Sequence, residues 1–147
     1  MYIIARSRLF IEEDVKDAIQ ETYLHVYKNL WQLRKIEKFN SWIISILINN
    51  CNKILRKKNN YVFSYEEVEF ENFINDQDVF IEVDSNIDLF KLLEYLDYDD
   101  RTLITMYYCN EFTSKEISEI LHINDNTIRS RINRAKNIIK NKLSKEV

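Results

Sequence analysis

The stretch TSKEISEILHINDNTIRSRINRA, residues 113–135, decides how this chain is read. Thr113 and Glu116 have the spacing of a capping box, in which the first residue caps a helix and the fourth reaches back to it. Ile117, Ile120 and Leu121 then give a short helical face. His122-Ile123-Asn124 is too short to be anything but a turn, and Asn124 is a good cap for a second helix. As the residue ending the first helix, His122 is expected in a left-handed conformation, uncommon without glycine. In the second helix Ile128, Ile132, Ala135, Ile139 and Leu143 make one apolar stripe. Asn126, Ser130, Asn133 and Asn137 lie opposite, flanked by Arg129, Arg134 and Lys140. Short helix, tight turn, longer basic helix is the helix-turn-helix order. Its second helix enters the major groove, and its first turns reach base edges. The competing reading, a solvated amphipathic helix in a bundle, explains the charge but not the turn and caps before it.

Working outward, Leu103, Met106 and Tyr107 mark one supporting helix and Leu89, Leu92, Leu93 and Leu96 another. The chain has 147 residues, 46% hydrophobic and 31% charged, enough for one ordinary domain or two small ones. It contains no Gly and no Pro, so tight hairpins are hard to build and turns fall to Asn and Asp. With helical periodicity along most of the chain, the expected fold class is all-α. Cys51 and Cys109 are isolated, as are His25 and His122, so neither a disulfide framework nor a metal site is expected. No cofactor is expected either. The longest apolar run, Trp42 to Ile48, is too short to span a membrane, and the N-terminus lacks a signal-peptide pattern. A cytoplasmic protein without membrane insertion is expected.

The formal charge of −3 hides a division into three. Residues 1–58 carry a net +5, residues 59–100 a net −12, and residues 101–147 a net +4. Basic blocks suggest phosphate contacts. The acidic middle has poor periodicity and reads as a linker. Two small helical domains joined by an acidic linker are therefore expected, with boundaries at 1–60, 61–85 and 86–147, the last being the helix-turn-helix domain.

In the first block, Val15, Ile19, Thr22, Val26 and Leu30 form a stripe, with Asp17, Gln20, Glu21, Leu24 and Lys28 opposite. Leu24 is an apolar residue amid acids and amides. Such a patch meets either a partner protein or another helix of its own domain, and the pattern leaves both open. Between Asn40 and Lys58 the stripe is Ile43, Leu47, Asn50 and Ile54. Ser45, Asn49, Asn52 and Arg56 face the other way, with Trp42 and Lys53 beside them. Trp42 reads as a core anchor more readily than as a base-stacker.

These residues carry a resemblance. Residues 113–143, with EISEIL at 116–121, TIRSR at 127–131 and Arg134-Ala135, resemble the C-terminal DNA-binding domain of bacterial RNA polymerase sigma factors of the extracytoplasmic-function type. DVKDAIQETY, residues 14–23, resembles that family's core-polymerase-binding segment, and Phe39-Asn-Ser-Trp-Ile43 with Ile46 and Asn49 its promoter-opening helix. Lys53, Ser118 and His122 depart from the family pattern, and Met1 to Phe10 matches only the second half of its first helix, so the first domain is expected to be shortened. The resemblance implies a non-enzymatic initiation factor whose partners are promoter DNA, core RNA polymerase and an anti-sigma factor. It implies core binding through Asp17, Gln20, Glu21 and Leu24. It puts Trp42, Ser45, Asn49, Asn52 and Arg56 at the −10 strand, where flipped bases suit amides and aromatics on a basic surface. It puts Asn126, Thr127, Arg129, Ser130, Arg131 and Arg134 at the −35 duplex. The alternative is a helix-turn-helix regulator with a LuxR-like domain, which leaves DVKDAIQETY and FNSWI unexplained. An enzyme with a DNA-binding tail finds no Gly-rich phosphate loop and no nucleophile beside a base.

Overall fold

A computed structural model describes residues 1–62 and 89–146. The described residues form helices α1 (Tyr2–Arg8), α2 (Glu12–Asn29), α3 (Phe39–Val62), α4 (Leu89–Leu93), α5 (Tyr98–Ile104), α6 (Ser114–Leu121) and α7 (Asp125–Glu146). Two 3₁₀ turns, Leu30–Gln32 and Ile36–Lys38, bridge α2 to α3. Among the described residues there is no strand, so the fold is all-α as the missing Gly and Pro suggested. The expected linker lies almost wholly outside the described residues. Only its first two positions are described, as the end of α3.

The N-terminal helices form because their apolar residues recur at helical spacing and meet. Val15, Ala18 and Thr22 of α2 are fully buried, and Ile43, Leu47 and Cys51 of α3 are buried with them. Each such aliphatic side chain contributes about 1.5–3 kcal/mol by leaving water. One polar pair sits within this seam. Asn50 Nδ2 donates to Thr22 Oγ1 at 3.1 Å, and Thr22 Oγ1 donates to the Ala18 carbonyl at 2.7 Å, so the buried amide is satisfied. Leu30 departs from the expected stripe. It is 51% exposed, because the chain tightens into a 3₁₀ turn there and the helical register is lost.

In the C-terminal half Asp97 caps α5 by accepting the Asp100 N–H at 2.8 Å. The chain then widens into a π turn over Thr105–Cys109. This shifts the register, so Leu103 and Met106 are buried while Tyr107 turns out to solvent against the expected stripe. Tyr107 and Tyr108 meet edge to face, with centroids 4.9 Å apart. The capping box at Thr113 and Glu116 is formed in both directions. His122 ends α6 at φ 56° and ψ 40°, the left-handed conformation expected of it. Asn124 then caps α7, its Oδ1 accepting the Asn126 N–H at 2.9 Å.

The two halves are not separate in space. Buried residues of α1 and α3, such as Ile4, Ile44 and Ile48, belong to the same apolar cluster as Leu103, Met106, Ile117 and Ile128. Helix α1 packs on α5, and α3 packs on α6. The sequence pattern suggested two bodies on a tether and said nothing of this docking.

Candidate nucleic-acid interface

Helix α7 shows its expected faces. Ile128, Ile132 and Ala135 are buried, and Asn126, Thr127, Arg129, Ser130 and Arg134 are exposed. The arginines differ from one another. Arg129 has a side chain 64% exposed, tied loosely to Asp125 one turn back at 2.9 Å and to Ser114 Oγ at 3.3 Å. Both ties lie at the start of the helix-turn-helix, so they aim the guanidinium without burying it. Arg131 is only 21% exposed. Its Nε and Nη2 both meet Asp100 Oδ1, at 2.7 and 2.6 Å. Arg134 Nη2 meets the other oxygen of Asp100 at 2.7 Å, and this hydrogen bond raises the pKa of its guanidinium. Asp100 itself is 3% exposed, so its charge is neutralised from both sides rather than by water. Asp100 was not legible as a functional residue in the sequence, because nothing in linear spacing links it to α7, thirty positions on. Its effect is to clamp α7 against α5 and to fix which side of α7 faces outward.

On α3, Asn49 and Arg56 are exposed, and Trp42, Ser45 and Asn52 are half-buried. Trp42 lies against Phe39 with ring centroids 6.3 Å apart. Asn52 Oδ1 already accepts a hydrogen bond from Arg8 Nε at 2.8 Å. Asn49 and Asn52 line a cleft together with Arg8, Asp99, His122 and Arg131. The structure thus brings part of the amide face of α3 to the helix-turn-helix, a juxtaposition no motif announced.

On α2, Asp17, Gln20, Glu21 and Leu24 are exposed, and Leu24 is 44% so. Leu24 is therefore a surface residue and not part of the buried core of its own domain. It has company that periodicity missed. Tyr27 is 86% exposed, Trp31 80% and Ile36 86%, on the same helix and the turns that follow it. Exposed apolar and aromatic side chains are thus gathered along α2 and the turns after it, beside Asp17 and Glu21. The signal was present as Tyr23, Tyr27, Leu30 and Trp31 in a row too aromatic for one buried stripe.

Among the described residues no group of His, Cys, Asp and Glu could hold a metal ion. No described helix is long and apolar enough to cross a membrane. Cys51 is buried, and burial pushes its thiol up to about 11.

A helix-turn-helix with a clamped second helix, preceded by a helical domain with an amide face and an aromatic patch, defines a class. Residues 1–61 match the family model "Sigma-70 region 2" and residues 87–139 match "Sigma-70, region 4". The chain belongs to the sigma-70 family, and within it to the extracytoplasmic-function type, whose members direct core RNA polymerase to promoters. It is 28% identical over 146 residues to the RNA polymerase sigma factor SigV of Bacillus subtilis, covering 99% of this chain and 85% of that protein. It is also 28% identical over 148 residues to the ECF RNA polymerase sigma-E factor of Escherichia coli K12, covering 93% and 78%. The fold is shared with the sigma factor RpoE of Bartonella quintana, solved with the anti-sigma factor NepR, at a TM-score of 0.79 and 20% identity over 97% of this chain and 89% of that one. CnrH, solved with the cytosolic domain of CnrY, follows at a TM-score of 0.65 and 19% identity, over 99% and 81%.

Proposed function

We propose a division of labour among the three surfaces of this sigma factor. Asp17, Gln20, Glu21 and Leu24 on α2, extended by Tyr27 and Trp31, dock on core RNA polymerase. Trp42, Ser45, Asn49, Asn52 and Arg56 on α3 take the unpaired −10 strand, where amides read base edges and the basic end of the helix meets phosphate. Asn126, Thr127, Arg129 and Ser130 read the −35 duplex. Arg131 and Arg134 stand on the same face but act first through Asp100, holding the angle at which α7 enters the groove. Binding and positioning are the whole of the chemistry, so the protein works without catalysis, in the cytoplasm where the polymerase is. An anti-sigma factor is a fitting regulator, as RpoE was solved with one.

The observation that supports this most is the exposed Leu24 within an acidic and aromatic patch, on a helix in the region 2 match. A regulator of the LuxR-like kind has no use for it. Leu24→Asp tests the assignment by co-purification with core polymerase. We expect association to fall at least tenfold, with helical circular dichroism unchanged because the side chain is not in the core. Unchanged co-purification would refute the patch.

A further inference from the structure

The arginines of this protein use their donors in different ways. Arg8 commits all three guanidinium nitrogens inside the protein, to Asn52, Thr102 and Asp99. Arg131 commits Nε and Nη2 to the buried carboxylate of Asp100. Among the described residues Arg134 is held at one nitrogen, Nη2. Arg129 differs from all three. Its Nε donates to Ser114 Oγ at 3.3 Å and its Nη2 meets Asp125 Oδ2 at 2.9 Å, while its side chain stays 64% exposed. Among the described residues its Nη1 has no partner. Nε and Nη2 form one edge of the planar guanidinium. Two contacts along an edge fix the plane, where one contact leaves it free to swivel. The edge that remains is Nη1 with the second hydrogen of Nη2. It is a two-donor fork, the shape that matches O6 and N7 of guanine in the major groove. Adenine sets a donor beside its N7, and neither pyrimidine offers two acceptors there. We propose that Ser114 and Asp125 are positioning residues, which set the plane of Arg129 so that its free edge reads a guanine of the −35 duplex.

This rests on the assignment of α7 to the −35 duplex, and it adds the base that is read and the groups that aim the reader. Both holders are themselves fixed by helix starts. Ser114 is the first residue of α6, set in place by the capping box of Thr113 and Glu116. Asp125 is the first residue of α7, set in place by the cap at Asn124. The caps of the two helices thus meet at one side chain. Stability alone explains Asp125 poorly. An exposed pair within one helix contributes little, and the other carboxylate oxygen, Oδ1, is buried without a hydrogen-bond partner among the described residues. An acid at the face that meets DNA also repels phosphate and weakens binding to every sequence. What it gives in exchange is direction. An acid suits a helix N-terminus as well, but that role would appear in helix stability and not in the choice of base.

The test uses the full chain bound to core RNA polymerase and promoter duplexes randomised across the −35 element, with the bound sequences read position by position. The parent should enrich guanine at a position where Arg129→Ala erases the preference and leaves the other positions as they were. Asp125→Ala should lower the guanine preference at that same position roughly fivefold or more, and Ser114→Ala should lower it several-fold. Both should leave the other positions at the parent's level. In the Arg129→Ala background neither substitution should change base preference further, because both act through that side chain. Asp125→Ala should also tighten binding to duplexes that lack the guanine, since an acid no longer faces phosphate. If Asp125→Ala costs helical circular dichroism, Ser114→Ala, outside α7, carries the test alone. Equal loss of preference at every position would leave Ser114 and Asp125 as helix supports and overturn the proposal. An unchanged preference in both variants overturns it too, and so does a −35 preference that Arg129→Ala leaves intact. A parent that binds core polymerase and selects no −35 sequence at all removes the −35 assignment itself, and the proposal with it.

Discussion

Arg129 and Arg131 lie two residues apart on α7, and the structure gives them different partners. In Arg131→Ala the buried carboxylate of Asp100 loses two of its three charge-assisted contacts and keeps only Arg134. Removing one partner of a buried ion pair costs about 3–5 kcal/mol when the remaining charge is uncompensated. Arg134 remains and Arg131 is itself one-fifth exposed, so the cost falls to the bottom of that range or just below it, about 2–3 kcal/mol. For a chain of this size each kcal/mol moves the midpoint by about 2–4 °C, which gives a fall of roughly 4–12 °C. Arg129→Ala removes an exposed pair within one helix, worth about 0.3–0.5 kcal/mol, and a long exposed hydrogen bond to Ser114. Its midpoint should stay within about 2 °C of the parent. Its effect should appear instead as lost discrimination among −35 sequences, about 1–3 kcal/mol if it reads a base. The assay is thermal denaturation of both variants by circular dichroism, paired with binding to a panel of −35 duplexes. An Arg131→Ala midpoint indistinguishable from the parent would refute the clamp. Equal and large destabilisation by both variants would refute the separation of roles.

Two further substitutions follow from local geometry. Thr113→Ala removes the cap of α6 and should lower stability by about 1 kcal/mol in urea denaturation at neutral pH. The Glu116 carboxyl is held below its usual range by the Thr113 backbone N–H and then by its hydroxyl. Its contribution is therefore complete above the unfolded value of 4.5 and fades as pH falls through the lower folded one, so the gap between parent and variant should narrow in acid. His122→Gly relieves a left-handed backbone held by a residue with a Cβ. It should raise stability by about 0.5–1 kcal/mol in the same assay, with α6 and α7 keeping their helicity.

What was legible in the sequence was whatever depends on neighbours along the chain. The capping box, the left-handed His122, the cap at Asn124 and the stripe of Ile128, Ile132 and Ala135 all follow from spacings of four residues or fewer, and all stand in the structure. The stripes failed at Leu30 and Tyr107, where a 3₁₀ turn and a π turn change the number of residues per turn on which a stripe depends. The roles of Asp100 and Arg8 were illegible for a different reason. Each acts through partners 31 to 94 positions away, and a single sequence carries no periodicity that joins them. The exposed aromatics of α2 fall between the two cases. Their residue types were visible, but Tyr and Trp serve cores and interfaces alike, and only burial tells which.

The most direct test of the whole account is promoter-dependent transcription in a purified system. Core RNA polymerase from the source organism, the full chain and a library of its genomic fragments are combined, and the 5′ ends of the transcripts are mapped. The account predicts discrete start sites that need both core and this chain, share spaced −10 and −35 sequences, and disappear with Leu24→Asp. Transcripts identical to those of core alone, from a chain that still binds duplex DNA, would contradict it and leave a helix-turn-helix regulator in its place.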